Sequence, residues 1–283
     1  MRLTKQNFTK NTIIFHHIPK AAGSTFRLIL SRQFKSEFIY NLQTLRKHEM
    51  IKKFSTINKE KRYCYKLVMG HQAGKLYNLV NNPVIITMLR SPVERVDSLY
   101  RHAKRHEDHP CHKIAKLYSL KECFENNIHK EWKELSNGQF DSLCFLFKTN
   151  LNVNLEGIIE IDLINKIMDE YIIFGLVERF DESLLLMNKY MGFNHNIYYY
   201  RKNTSHDKFK IDPSVIKIIR EYNRLDIQLY EYCKNIFNDR LVSELSFLKN
   251  KLFLYKTLNM LMYFPAKIND YITFKRQYPK LNA

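Results

Sequence analysis

Residues 11–26 read NTIIFHHIPKAAGSTF. Asn11–Ile18 is a short apolar run rich in β-branched residues that stops at Pro19, the pattern of a buried strand. Beyond the turn PKAAG, the apolar residues Phe26, Ile29, Leu30 and Phe34 recur at helical spacing. The unit is therefore strand–loop–helix, the repeating piece from which parallel sheets with helices on their faces are built. Working outward, a second strand is predicted at Tyr65–Met69, ending in Gly70-His71, and a third at Val84–Leu89, ending at Arg90. A fourth is predicted at Tyr171–Leu176. Helices are expected over 113–147, 158–171 and Phe180–Met191, and Asp212-Pro213 opens another that runs to about Phe237. Ser91-Pro92-Val93-Glu94 has the form of a capping box, with Ser at the cap, Pro at the first helical position and Glu at the third. Strands alternating with helices predict an α/β fold, a three-layer domain with a central, mainly parallel sheet flanked by helices. Residues 1–240 form that domain in this reading, and residues 241–283 a basic helical extension packed on it or on a partner.

Composition bounds the function. With 283 residues, 45% of them apolar and 26% charged, the chain has ample material for a core. That excludes a disordered tail, a collagen-like repeat and a small disulfide-stapled module. Gly and Pro number 7 each, so long flexible linkers are not expected. Lys and Arg outnumber Asp and Glu by 46 to 28, giving +18. Such a field attracts polyanions: nucleic acid, anionic lipid, an acidic glycan or a nucleotide phosphate. Charge does not choose among them. The five cysteines are scattered without CxxC spacing and read as reduced thiols, although Cys111 and Cys123 are a conceivable pair in an oxidising lumen. The first twenty residues hold no apolar run long enough for a signal peptide or membrane anchor, so a cytoplasmic location is the expectation.

In parallel α/β sheets, ligands sit beyond the carboxyl ends of the strands. Lys20, His71 and Arg90 follow three of those ends. Small residues in the first loop let the backbone curl close to a ligand, and the first-turn N–H groups with the helix dipole favour an anion. Ser24 and Thr25 add hydroxyls and Lys20 a positive charge. The loop is P-loop-like without being a Walker loop. GxxxxGK[ST] puts its Lys after the last Gly, whereas Lys20 precedes Gly23, and no partner Asp for a metal is evident. A smaller anion than a triphosphate, bound without a metal, is the expectation. In LRSPVERVDSLYRH, Arg90 can fork onto a phosphate and Ser98 lies on the face of the next helix that returns toward the strand end. These two make a plausible second clamp.

Together, HIPKAAGST and LRSPVERVDSLYRH resemble the 5′-phosphosulfate loop and the 3′-phosphate motif of the carbohydrate O-sulfotransferases, particularly the heparan sulfate 2-O- and 6-O-sulfotransferases and their bacterial relatives. GLVERFDESL (175–184) and LDIQLY (225–230) are also similar to stretches of that family, and the resemblance covers roughly residues 11–237. It implies a donor, 3′-phosphoadenosine 5′-phosphosulfate (PAPS), and transfer of its sulfonate to a sugar hydroxyl by in-line displacement without a metal. On this reading Ala22, Gly23, Ser24, Thr25 and Phe26 cradle the 5′-phosphate. Arg90 and Ser98 hold the 3′-phosphate, and Lys20 both binds the donor and stabilises charge on the leaving oxygen. The 2-O branch carries its catalytic His in a Gly-His context, which makes His71 the general base, with His17 as runner-up. The family closes a polar loop over the nucleotide near Arg201–Ser205, where Thr204 or Ser205 would contact the 3′-phosphate.

The acceptor is expected to be a glycan or glycolipid. The stretch 101–132, rich in His, Lys and Arg, reads either as its wall or as a solvated basic helix, and the spacing of His106, His109 and His112 matches no zinc site. Residues 245–283 mix apolar and basic residues. Leu252–Phe264 is too short and too polar to span a bilayer, and it lies on an anionic membrane surface, on a neighbouring subunit or on its own core. The first of these would place the protein at the inner face of a membrane. Two rival functions stand beside the transferase: a P-loop kinase or other nucleotide phosphotransferase, which lacks its Walker residues here, and a basic nucleic-acid-binding protein, for which no recognisable motif is present. No nucleic-acid partner is therefore expected.

Overall fold

A computed structural model of the chain describes residues 11–42, 47–150, 172–193, 197–200 and 211–265, with Asp162, Asn165, Met168, Lys267, Ile268, Tyr271 and Ile272. The first half runs β1 (Thr12–His16), α1 (Gly23–Ser31), β2 (Ile39–Asn41), α2 (Lys47–Thr56), α3 (Lys59–Cys64) and β3 (Leu67–Gly70). A 3-10 segment over Ala73–Leu79 leads to β4 (Pro83–Leu89) and α4 (Pro92–Arg105). Then come α5 (His112–Leu117), α6 (Leu120–Glu125), α7 (Gly138–Asn150), β5 (Ile172–Leu176) and α8 (Phe180–Met191). Three helices close the described chain: α9 (Pro213–Tyr222), α10 (Arg224–Ser243) and α11 (Leu245–Leu261).

The five strands form one parallel sheet in the order β2-β3-β1-β4-β5. Every residue of β1, β3 and β5 is buried, which is why these strands read as unbroken apolar runs rather than alternating ones. Ile14 of β1 pairs with Val68 on one side and Ile85 on the other. The Thr87 hydroxyl donates to the His16 carbonyl at 2.8 Å, stitching β4 to β1. One face is covered by α1 and α8, with Phe26 edge-on to Phe15 (5.0 Å between ring centroids) and to Phe180 (6.5 Å). The other carries α7, where His16 Nε2 meets the Ser142 hydroxyl at 2.9 Å. The architecture is the three-layer α/β fold.

A second, smaller core lies among the helices. Val96, Leu99 and Ala103 of α4 pack with Phe124, Trp132, Leu135 and Ile219. Leu248 and Tyr255 of α11 join the main core around the sheet.

Three expectations need correction. Residues 113–147 are not one helix but α5, α6, two single 3-10 turns and α7. Ser119 and Glu122 form a capping box that restarts the helix (Glu122 N–H to Ser119 Oγ 3.2 Å, Ser119 N–H to Glu122 Oε2 2.7 Å), and Asn127 and Asn137 are left-handed. The helix from Pro213 breaks at Asn223, whose side-chain amide donates to the Leu135 and Ile219 carbonyls, both at 2.9 Å. The sheet also has a strand that the sequence reading passes over, β2. Of the helix expected over 158–171, only Asp162, Asn165 and Met168 are described, and all three are helical.

In this strand order, connections from β1 lead to one side of the sheet and those from β4 to the other. The carboxyl ends of β1 and β4 therefore flank the switch point where the sheet's winding reverses, a ready-made crevice.

Candidate active site

From the end of β1 the chain runs through His17, Ile18, Pro19 and Lys20 into α1. Ile18 and Ala21 are wholly buried and pin the loop to the core. The Ala21 N–H returns to the Ile18 carbonyl at 3.3 Å, closing a turn. Lys20 (φ 66°) and Ala22 (φ 54°) are left-handed, on either side of Ala21, which is not. Alternation of this kind turns successive N–H groups into one concavity, the nest that binds anions. A left-handed non-glycine residue costs about 1–2 kcal/mol, and such strain persists where surrounding structure imposes it. In α1, Phe26 N–H makes a helical bond to the Ala22 carbonyl at 3.1 Å, so the amides of Gly23, Ser24 and Thr25 precede any intrahelical acceptor. The loop thus offers backbone amides, two hydroxyls and the helix dipole to one anion. Phe26 contributes otherwise: its ring is in the core and its N–H belongs to the helix.

Gly23 is small for a reason internal to the fold. A Cβ on it would lie 1.8 Å from His17 Nε2. The His17 imidazole fills that space, against Phe15 (5.6 Å) and stacked on His71 at 4.3 Å. His71 leaves β3 directly after Gly70, whose φ of 148° disfavours a side chain and where an added Cβ would lie 2.7 Å from Leu42 Cβ. His71 Nδ1 lies 2.8 Å from the His17 carbonyl oxygen. A carbonyl only accepts, so Nδ1 carries the proton and, in the neutral ring, Nε2 carries the lone pair. That tautomer leaves Nε2 as the nitrogen able to take up a proton. His17 itself is buried, and its pKa is pushed well below the usual range by burial and then by His71, Arg27, His16 and Lys20. His16 faces the opposite side of the sheet, and its pKa falls to about 4, first through burial and then through His71.

Arg90 stands at the end of β4. Its backbone is gripped on both sides by the Gln139 amide, which accepts from the Arg90 N–H at 2.9 Å and donates to its carbonyl at 2.8 Å. Its guanidinium Nη1 donates to the Lys20 carbonyl at 3.2 Å, and Nη2 pairs with Glu94 at 3.4 Å. The two loops therefore touch across the crevice. The expected capping box at α4 does not form: the Ser91 hydroxyl makes no cap bond, and Glu94 turns to Arg90 instead. In its place the Ser91 N–H donates to Glu178 Oε1 at 2.8 Å, and the Tyr230 hydroxyl holds the other oxygen at 2.7 Å. Ser98 lies half-buried in the second turn of α4.

Deeper support comes from Asp226. It accepts from the Gln139 and Phe140 N–H groups (3.0 and 2.7 Å), capping α7, and lies 3.6 Å from Arg95 Nε, with both side chains out of solvent. Asn137 returns the favour by accepting from the Leu225 and Asp226 N–H groups, capping α10. This reciprocal cap fixes Gln139 and, through it, Arg90. Burial pushes the Asp226 carboxyl up, and Arg95 opposes it.

The charge around the crevice is positive. Lys20 is pushed down to about 8 by burial, then by Arg105 and Arg90. His102 of α4 falls to about 4 through burial, followed by Lys20, His106, His109 and Arg105. The His102 ring lies 4.2 Å from that of His106 and 5.7 Å from that of His109. The carboxyl-terminal half of α4 thus borders Lys20. No group of three or more His, Cys, Asp or Glu side chains that could hold a metal ion occurs among the described residues.

Lys20, Ala22, Gly23, Ser24, Thr25, His71 and Arg90 thus collect at the carboxyl ends of three neighbouring strands, β3, β1 and β4. Thr204 and Ser205 lie outside the described residues. Sequence reasoning missed Gln139, Glu178 and Asp226. The latter two sit inside the GLVERF and LDIQLY stretches, while nothing local marks Gln139. The family model described as the Sulfotransferase family matches residues 8–233. No curated protein matches the chain. With four-fifths of its length covered by that match and the strand-end loops assembled as above, the chain belongs to the sulfotransferase family.

Proposed function

We propose that this sulfotransferase takes PAPS as donor and a carbohydrate hydroxyl as acceptor, with His71 as general base. The observation that carries the reading is the Arg90–Lys20 contact at 3.2 Å, which joins the amide-lined Lys20 turn and the Arg90 guanidinium into one cationic crevice. A nucleotide with anions at its 3′ and 5′ positions needs two such groups side by side. PAPS, when bound, supplies an electrophilic sulfur on a good leaving group. The nest and the first turn of α1 hold the 5′ side, and Arg90 with Ser98 holds the 3′-phosphate. His71 Nε2 takes the proton of the acceptor hydroxyl as its oxygen bonds to sulfur. Lys20 neutralises the charge that gathers on the bridging oxygen as the sulfur–oxygen bond breaks, a contribution typically worth a few kcal/mol. The proton on His71 then passes to solvent. The basic, imidazole-rich edge of α4 beside Lys20 supports an acceptor wall there.

The test combines calorimetric titration with 3′-phosphoadenosine 5′-phosphate and transfer of labelled sulfate to a panel of glycans. Lys20→Ala and His71→Ala are expected to abolish turnover with the thermal midpoint little changed, and Arg90→Ala to weaken nucleotide binding about tenfold or more. Full transfer by the His71 variant removes it as the base. Binding of ATP-magnesium but not of 3′-phosphoadenosine 5′-phosphate sinks the donor assignment.

A further inference from the structure

Helix α11 is apolar on two opposite sides. One side carries Leu248 and Tyr255 into the main core, and the Tyr255 hydroxyl donates to the Ile197 carbonyl at 3.1 Å. The other side carries Phe253, Leu254, Met260 and Leu261, with Phe264 in the turn that follows. At 3.6 residues per turn the four within α11, spaced i, i+1, i+7 and i+8, share one face, roughly opposite Leu248 and Tyr255. They are open to solvent, from 57% at Leu254 to 77% at Phe253. Lone exposed apolar residues are ordinary; four on one helix face, flanking Thr257, mark an interaction surface. No helix among the described residues is long and apolar enough to cross a membrane.

The charge around the strip selects its partner. Residues 245–283 contain seven Lys or Arg and one acidic residue, Asp270. Lys249, Lys256 and Lys267 are exposed, and the same helical geometry sets Lys249 and Lys256 along one edge of the strip. A second copy docking antiparallel by two-fold symmetry would bring these lysines against one another. An anionic bilayer meets both demands: its headgroups take the lysines and its acyl boundary takes the aromatic and aliphatic side chains. We infer that α11 docks the protein flat on an anionic lipid surface through Phe253, Leu254, Met260, Leu261 and Phe264, ringed by Lys249, Lys256 and Lys267. The inference is independent of the donor and acceptor reading, since it uses none of the residues assigned to the strand-end crevice.

Co-sedimentation of the full chain with vesicles tests it. Pelleting is expected with phosphatidylcholine vesicles containing about 30% phosphatidylglycerol, and should weaken in pure phosphatidylcholine and at raised salt. The double variant Phe253→Asp/Leu261→Asp should lower partitioning about tenfold or more, because each change removes an apolar anchor. Its thermal midpoint and its affinity for 3′-phosphoadenosine 5′-phosphate should stay as in the wild type, showing that it is folded. Absence of wild-type pelleting, or pelleting that the double variant leaves intact, overturns the inference. So does a dimer in sedimentation velocity that the double variant dissociates, with no vesicle binding, which would give the strip to a second copy.

Discussion

Lys20 combines a left-handed backbone, a carbonyl that anchors Arg90 and an ammonium crowded by Arg105 and Arg90. Its pKa of about 8 means that an arriving dianion pulls a proton onto it. Affinity for 3′-phosphoadenosine 5′-phosphate should therefore fall as pH rises through 8, with proton uptake on binding measured by calorimetry in buffers of different ionisation enthalpy. Lys20→Arg, which stays charged, should flatten the profile. The next residue-scale test is Gly23→Ala. The added methyl group would collide with His17, and His17 cannot retreat without disturbing His71 on its other face. Overpacking of this kind costs about 1–3 kcal/mol, and misplacing a base by an ångström lowers turnover about a hundredfold. Urea unfolding and sulfate transfer, measured together, check both effects. Wild-type turnover in this variant would detach the His17–His71 stack from catalysis.

At the scale of elements, the strands that build the site were readable because each is an apolar run cut off by Pro19, Gly70 or the Arg90-Ser91-Pro92 stop. The three groups that follow those stops were readable for the same reason. What escaped was set by distant partners. β2 is three residues long, and its register comes from β3 rather than from any pattern of its own. The break at Asn223 depends on Leu135 and Asn137, more than 80 residues away. The start of α4 is held by Glu178 from the far end of β5, although Ser91 and Glu94 have the spacing to hold it themselves. By contrast, the Ser119–Glu122 box is local, and its sequence does signal the restart that the long helix expectation passed over. The reciprocal cap between α7 and α10 can be tested directly. Asp226→Asn keeps an oxygen for the Gln139 and Phe140 amides but leaves the Arg95 guanidinium unpaired in the interior. A loss of about 3 kcal/mol is expected in urea unfolding, with nucleotide binding little changed because the cap on Gln139 is kept. Unchanged stability would mean that the ion pair contributes nothing.

The whole molecule carries neutral imidazoles inside a strongly basic chain. His16 has a folded pKa of about 4 against 6.5 for an open chain, so below 6.5 the unfolded state binds the extra proton. Its contribution is fully present above pH 6.5 and is lost as pH falls through 4. It amounts to about 3 kcal/mol at 1.36 kcal/mol per unit. His17 acts in the same direction. The upward push on Asp226 works in the opposite sense, so the comparison that isolates the imidazole is His16→Gln. Urea midpoints measured from pH 7.5 to 4.5 should drop steeply in the wild type and less steeply in that variant; parallel curves would refute the assignment. The sheet itself has a kinetic meaning. The His71 imidazole, the Lys20 ammonium and the Arg90 guanidinium follow the ends of adjacent parallel strands of one sheet. On the reading proposed above, the sheet serves these three groups as a fixed jig, and the temperature dependence of turnover should report the bond exchange itself rather than a slow gathering of its parts.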